Sequence, residues 1–333
     1  MTKAKRITAE LLRVAISLTL LAIVLVRIDW DKALSLIKNS DPLWWTAGIC
    51  VTVAAILLSA YKWRLVLIAQ GTDVPLSKLT GAYFIGLFFN NFLPSSMGGD
   101  AYRAYDVSTF TKRKHSAVAS VIAERILAAV ALGTMAGLGL LLGYKEAGKF
   151  AGWIAVVLIG CFGILFASVN VDKVIYLGDR IRRFRDSRLR GKLSEFGDAL
   201  KAPVDDKETL MSVLLLSIAF QVCVILVNVA VFRALKVDVS LRYFFIFVPL
   251  IMALGMLPVS INGWGIQEGA YILFFSRAGL SATQAVTGSI SFTLTVTLVS
   301  IVGVILLISK GLPERRSHDG KSGSRVRESG QVL

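Results

Sequence analysis

Two short apolar stretches decide how this chain folds. Leu79–Leu93 runs into Pro94-Ser95-Ser96-Met97-Gly98-Gly99-Asp100, and Tyr243–Leu257 runs into Pro258-Val259-Ser260-Ile261-Asn262-Gly263-Trp264-Gly265. Each apolar stretch is about 15 residues long, where a bilayer span needs about 20. Each ends at a proline, which cannot continue a helical hydrogen-bond ladder, and then at glycines, which permit tight turns. Segments of this length and ending are expected to be re-entrant, interfacial or core elements. The alternative is a pair of ordinary kinked membrane helices, since proline is tolerated there.

The rest of the chain supplies the membrane setting. Of 333 residues, 55% are apolar and 18% charged, and the mean hydropathy is +0.67. Those values exclude a soluble enzyme, a disordered binding module and a disulfide scaffold. Six segments are long and apolar enough, or nearly so, to cross: Leu11–Ile28, Leu43–Tyr61, Ala117–Leu142, Phe150–Asn170, Leu210–Phe232 and Gln284–Ile308. The first follows Lys3, Lys5 and Arg6 like a signal peptide, but it lacks a small-residue cleavage pattern and reads as an uncleaved helix. The expected fold is therefore all-α and polytopic, with about six full spans and two re-entrant Pro/Gly hairpins.

Basic residues test that topology. With six spans, both short segments re-entrant and the N-terminus inside, 26 of the 37 Lys and Arg fall inside and 9 outside. If both short segments crossed fully, the split would be 17 to 18. If only the first crossed, it would be 23 to 12 with the N-terminus outside. The positive-inside rule favours two re-entrant segments and cytoplasmic termini. The net charge of +15 then reads as cytoplasmic loops facing anionic lipid, and no nucleic-acid partner is expected.

The two bends also repeat. Leu93-Pro94-x-Ser96-x-x-Gly99 matches Leu257-Pro258-x-Ser260-x-x-Gly263 at a constant offset of 164 residues. In the favoured topology the first enters from inside and the second from outside, as in transporters built from inverted repeats. Irregular backbone at membrane depth must be buried in protein or line a wet cavity. The elbows are therefore expected to meet and present polar groups to a ligand.

Charges within apolar sequence mark the candidate site. Glu124 and Arg125 lie in Ala117–Leu142; Asp100 and Arg103 follow the first glycines; Gln267 and Glu268 follow the second. A charge at mid-membrane costs about 2.5–3.5 kcal/mol on insertion scales, so it is expected to have a partner or a purpose. Arg103 with Glu124, and Arg125 with Asp100 or Glu268, are the expected pairings. An arginine there could receive an anionic head group through its planar fork. The same charges could equally staple the hairpins together. No catalytic residues, metal site or cofactor are expected. Cys50, Cys161 and Cys223 sit in apolar runs, His115 and His318 lie far apart, and no HExxH, CxxC, Walker A or GxSxG pattern occurs.

Between the spans, residues 171–209 carry ten basic residues around an apolar stripe that includes Val174, Leu177, Ile181, Phe184, Phe196 and Leu200. They predict one amphipathic helix, or two broken near Gly191. It would lie on the anionic leaflet or pack on the bundle. Residues 311–333 read as a disordered basic tail beyond a membrane domain of residues 1–310.

The Leu93-Pro94 to Arg103 motif with its Gly-Gly-Asp-x-x-Arg core, Glu124-Arg125, and Leu257-Pro258-x-Ser-x-x-Gly-x-Gly-x-x-Glu268 together resemble the lysylphosphatidylglycerol synthase transmembrane-region family. This is the flippase-like half of synthases that aminoacylate phosphatidylglycerol and confer resistance to cationic peptides; it also occurs as stand-alone proteins. The resemblance covers most of residues 10–310. It implies a polytopic protein of the cell (inner) membrane that moves or handles lipids across the bilayer, with anionic lipids as partners. Carried onto this chain, the motif positions are Pro94, Gly98, Gly99, Asp100, Arg103, Glu124, Arg125, Pro258, Gly263, Gly265 and Glu268; Ser96 and Ser260 complete the elbows. Asn262 and Trp264 stand where smaller residues would be expected, so the second elbow would suit a different head group. A soluble aminoacyl-transfer domain would not fit in Lys310–Leu333, so this chain is not expected to make lysyl-lipid. The other readings are a permease for a small soluble anion, and an accessory to a lipid-modifying or glycosyl-transferring enzyme.

Overall fold

A computed structural model describes residues 19–26, 28–92, 98–143, 187–256 and 263–309, with six isolated positions at 15, 17, 152, 159, 160 and 163. All regular structure among the described residues is helical. Ten α-helices carry the argument: α1 (Trp30–Lys38), α2 (Pro42–Ala69), α3 (Leu76–Phe92), α4 (Gly98–Thr111), α5 (Lys114–Leu142), α6 (Ser187–Asp205), α7 (Lys207–Ala234), α8 (Leu241–Gly255), α9 (Ile266–Phe275) and α10 (Ala282–Ser309). Residues 19–26 are also helical.

Local sequence explains where the long helices begin. Asp41 accepts a hydrogen bond from Leu43 N at 2.9 Å and Pro42 fills the first turn of α2. Asp206 does the same for α7, accepting from Glu208 N at 3.2 Å. Donation from the Thr209 hydroxyl, then from backbone N–H groups, holds the Asp206 carboxyl below the ordinary carboxylate range.

Four helices, α2, α5, α7 and α10, are long and apolar enough to cross a membrane. Each has 28 or 29 residues, about 42 Å at 1.5 Å per residue, which exceeds a hydrocarbon core of about 30 Å. Less than two-fifths of the apolar window of each is buried inside the protein. Leu43, Leu57, Leu215, Leu298 and Ile305 instead face outward, a surface suited to acyl chains rather than water. These helices contain the expected spans Leu43–Tyr61, Ala117–Leu142, Leu210–Phe232 and Gln284–Ile308, and extend each of them. The largest extension carries α2 on to Ala69, so Lys62, just beyond the expected span Leu43–Tyr61, belongs to the helix. The expected span Phe150–Asn170, apart from isolated positions, and residues 11–14 of the first span lie outside the described residues.

α2 and α7 pack antiparallel. Asp41 N, at the start of α2, donates to Ala234 O at the end of α7, 2.8 Å away. At their other ends, Val66 and Val213 share an apolar cluster. The two short apolar segments each form a helical hairpin with the helix that follows. In the first, Leu79 near the start of α3 and Val107 near the end of α4 meet Trp63, Leu67 and Ala117 in one cluster. In the second, Phe244 and Phe247 of α8 meet Phe274 and Phe275 of α9, together with Phe232. The first hairpin thus opens where α2 ends, and the second opens where α7 ends.

Each hairpin packs on the long helix of the other half: α3 on α10, and α8 on α5. Both crossings run over a glycine. A Cβ added at Gly139 would lie 2.8 Å from Ile246 O, and one added at Gly303 would lie 2.2 Å from Phe84 O. These glycines are 164 residues apart, the offset of the Pro/Gly motifs. Small residues at helix crossings let backbones approach, which matters where lipid supplies no hydrophobic drive for association.

α6 runs unbroken through Gly191, so the break considered there does not occur. Phe196 and Leu200 pack against Leu65, Val66, Ile126 and Leu127, and Gln70 Nε2 donates to Ala199 O at 2.8 Å. The described end of the basic segment is therefore docked on the bundle. Residues 171–186 and 310–333 lie outside the described residues.

Candidate functional site

Five charged side chains from three helices converge beside the first hairpin. Glu124 is 3% exposed on α5. One of its oxygens accepts from Lys62 Nζ at 2.7 Å and the other from Arg103 Nη2 at 3.0 Å. Asp100 is shared by Arg103 (3.3 Å) and Arg125 (2.8 Å). Neighbours in sequence on one helix, Glu124 and Arg125 point to different partners, as a 100° turn per residue requires. The expected partnership of Arg103 with Glu124 is present, and Arg125 takes Asp100 rather than Glu268.

The cluster is not neutral. Three cations, Lys62, Arg103 and Arg125, face two carboxylates, Glu124 and Asp100. Arg103 is sandwiched as well as paired: its guanidinium carbon lies 3.8 Å from the Tyr83 ring centre and 4.2 Å from that of Trp63. Such stacking adds attraction where water is absent. Arg103 holds α4 against α2, α3 and α5, with its buried Nε left without a hydrogen-bond partner among the described residues. Arg125 grips both oxygens of Asp100, but its side chain is half exposed, so it is the cation of the cluster that reaches open space.

Arg125 lines a half-open cavity of about 430 Å³ bordered by both hairpins and the long helices. α3 contributes Asn91, α7 contributes Gln221, and α10 contributes Thr293 and Thr297. The second hairpin contributes Met252, Met256, Trp264, Gln267 and Glu268. An adjoining cavity of about 550 Å³ shares Asn91, Trp264, Glu268, Thr293 and Thr297 and continues past Leu21, Leu25, Phe92 and Leu294 toward residues 19–26. A largely apolar chamber that carries one arginine and one glutamate therefore adjoins a second, still more apolar one.

The elbows explain how backbone comes so close. Gly98 opens α4. Gly99 crosses Gly86 so tightly that an added Cβ would lie 2.0 Å from Gly86 O, and its N–H donates to Asn90 Oδ1 at 2.9 Å. Gly263 and Gly265 adopt φ of +77° and +83°, the left-handed region that favours glycine. Gly265 also abuts residues 20 and 21; an added Cβ would lie 2.5 Å from Leu20 Cβ. Glu268 closes this elbow, its Oε2 accepting from Gly265 N at 2.6 Å as in a capping box. Pro94, Ser96, Pro258 and Ser260, with Asn262, lie outside the described residues.

Of the expected site residues, Arg125 and Glu268 line the cavity. Asp100, Arg103 and Glu124 form the buried cluster behind it, and Gly99, Gly263 and Gly265 shape the backbone. Sequence reasoning missed Lys62, which is 1% exposed and belongs to the same network. It also missed Asn91 and Gln221. Their signal was present: each is a polar side chain inside an otherwise apolar helix, where its cost demands a reason.

Comparison with known proteins places this arrangement. The family model described as lysylphosphatidylglycerol synthase TM region matches residues 11–303. A UPF0104 membrane protein of Methanothermobacter thermautotrophicus is 24% identical over 302 residues, covering 83% of this chain and 88% of that one. A UPF0104 membrane protein of Methanocaldococcus jannaschii is 25% identical over 124 residues, 37% of each chain. The glycosyltransferase AglD of Haloferax volcanii is 26% identical over 359 residues, covering 94% of this chain but only 57% of that protein. The matched region takes in both hairpins, the charged cluster and the cavity, and the chain belongs to the lysylphosphatidylglycerol synthase transmembrane-region family.

Proposed function

We propose that this protein moves or handles a lipid across the cytoplasmic membrane, binding its anionic head group between two re-entrant hairpins that enter from opposite faces. In this reading the N- and C-termini are cytoplasmic and the two halves form an inverted repeat. The antiparallel packing of α2 on α7 and the matched glycine crossings support that topology. The observation that carries the reading is the pair of joined cavities: Arg125, half exposed, in a chamber that continues into a more apolar one. A phosphate-bearing head group fits the first and hydrocarbon fits the second. The apolar continuation favours an amphiphile over a small soluble anion. No nucleotide motif accompanies the site, so movement is passive or ion-coupled.

The test is transfer of head-group-labelled phosphatidylglycerol across proteoliposome membranes. Wild type is expected to accelerate transfer, and Arg125→Ala to lose most of that acceleration while eluting as a folded, monodisperse protein. Equal rates with wild type, with Arg125→Ala and with empty vesicles would refute the reading.

A second reading rests on the likeness to AglD, whose name is that of a glycosyltransferase. In it the lipid presented is a glycosyl carrier, and the protein serves a separate glycosyl-transferring enzyme. Transfer of a polyprenyl-phosphate sugar faster than of phosphatidylglycerol would favour it.

A further inference from the structure

The two buried glutamates of the site have opposite surroundings. Glu124 has both carboxylate oxygens engaged by cations, Lys62 and Arg103, and does not line the cavity. Glu268 is 7% exposed and lines both cavities. Its Oε2 accepts from the Gly265 N–H and its own backbone N–H also bonds the carboxylate; no cation pairs with it among the described residues.

The elements around Glu268 supply little charge. α10 and residues 19–26 bring none, and α8 carries Arg242 and Tyr243 only at its far, opening end. On α9 itself, Tyr271 is bonded to Asn228 of α7, and Arg277 follows the helix at the opening end. Among the described residues, the one other charged side chain that lines the chamber is Arg125 of α5.

Building on the lipid-handling reading, we infer that Glu268 is a proton site, and that an anionic head group and a proton occupy the chamber together. The reason is electrostatic. In the empty chamber Arg125, the other charged group that lines it, is paired to Asp100. A head-group phosphate held there adds a negative charge to the space that Glu268 faces, which favours the neutral acid. On binding, a proton from water adds to Glu268 Oε1, the oxygen not committed to Gly265; on release of the head group it returns to water. Linkage makes the coupling reciprocal: a head group raises proton affinity, and a proton raises head-group affinity. A protonated Glu268 still accepts from Gly265 N through Oε2, so the elbow keeps its cap.

Calorimetric titration of the full chain in detergent tests this, with soluble dihexanoyl phosphatidylglycerol as the probe. Its phosphodiester stays singly charged between pH 5 and 8, so it carries no titration of its own. Repeating the titration in buffers of different ionisation enthalpy counts the protons taken up. Wild type is expected to take up close to one proton per probe bound at the alkaline end. Its affinity should fall by up to about tenfold per pH unit as pH rises. Glu268→Gln keeps the cap, because the amide oxygen can accept from Gly265 N, and it should bind with no proton uptake and a flat pH profile. Binding by wild type without proton uptake, or a pH slope that survives Glu268→Gln, overturns the proton site and leaves the lipid reading standing. No binding at any pH overturns both. The proton count on wild type decides the matter even where the Gln variant fails to fold.

Discussion

The two halves share a framework but hold their hairpins by different physics. In the first half, Asp100, Arg103, Glu124 and Arg125 join Lys62 in a buried ionic network. At the positions 164 residues later stand Trp264, Gln267, Gly288 and Ser289. The second half fills the corresponding space with rings: Phe232, Phe244, Phe247, Phe274 and Phe275 stack and tilt against one another. Phe232 sits so close to Gly288 that an added Cβ would lie 2.3 Å from its ring. An aromatic ring thus occupies the neighbourhood where the other half places a glutamate. Ion pairs in a low-dielectric interior are directional and severe when broken, whereas ring packing is non-directional and tolerates small slides. The first hairpin is built as the anchored wall of the cavity, and the second, with its two left-handed glycines, as the adaptable one.

The sharpest way to break that contrast is to remove its central carboxylate. Glu124→Ala leaves Lys62 and Arg103 buried and uncompensated, and is expected to cost about 3–5 kcal/mol. This should show as loss of monodisperse protein or a large fall in Tm in detergent. Replacing Lys62 and Glu124 together by Met should recover much of that loss, since a packed apolar pair can match a buried ionic one. Gly288→Leu probes the other half by overpacking Phe232, with an expected cost of about 1–3 kcal/mol. It should be relieved in part by adding Phe232→Leu. Should Gly288→Leu prove costlier than Glu124→Ala, the assignment of anchored and adaptable halves would be reversed. Arg125→Ala should shift stability least, by about 0.2–1 kcal/mol as for a partly exposed pair, while slowing lipid transfer most. A comparable loss of Tm and of transfer would make Arg125 another staple. Finally, cysteine at Lys78 and at Lys112 should react with an impermeant reagent from the same face, and cysteine at Arg277 from the opposite face, with stability unchanged. The Lys78 ammonium already lies 4.3 Å over the ring of Phe110, two residues before Lys112. Labelling of Lys78 and Lys112 from opposite faces would end the hairpin topology.

Particular residues show why some of this was legible in advance. Arg103 and Glu124 could be matched on paper because each is an isolated charge in apolar sequence, and hydrocarbon leaves such groups few choices of partner. Lys62 escaped for a related reason. It lies at the edge of an apolar run, where a lysine normally ends a span and reaches for the interface. Here α2 continues to Ala69, and the lysine is drawn inward by Glu124, a residue 62 positions away. Whether Asp100 or Glu268 would take Arg125 also depended on the path of the backbone between elements, which spacing does not encode.

By itself, the sequence determined the solvent and the class of fold. Runs of apolar residues require a bilayer, and a Pro/Gly motif recurs at a fixed offset. The tertiary structure alone decided which charges are spent and which remain available. Glu124 and Glu268 are the same residue type in similar apolar surroundings, yet one lies between two cations and the other faces a cavity. A carboxylate's role is set by the charges within a few ångströms of it, and folding chooses those neighbours from distant parts of the chain.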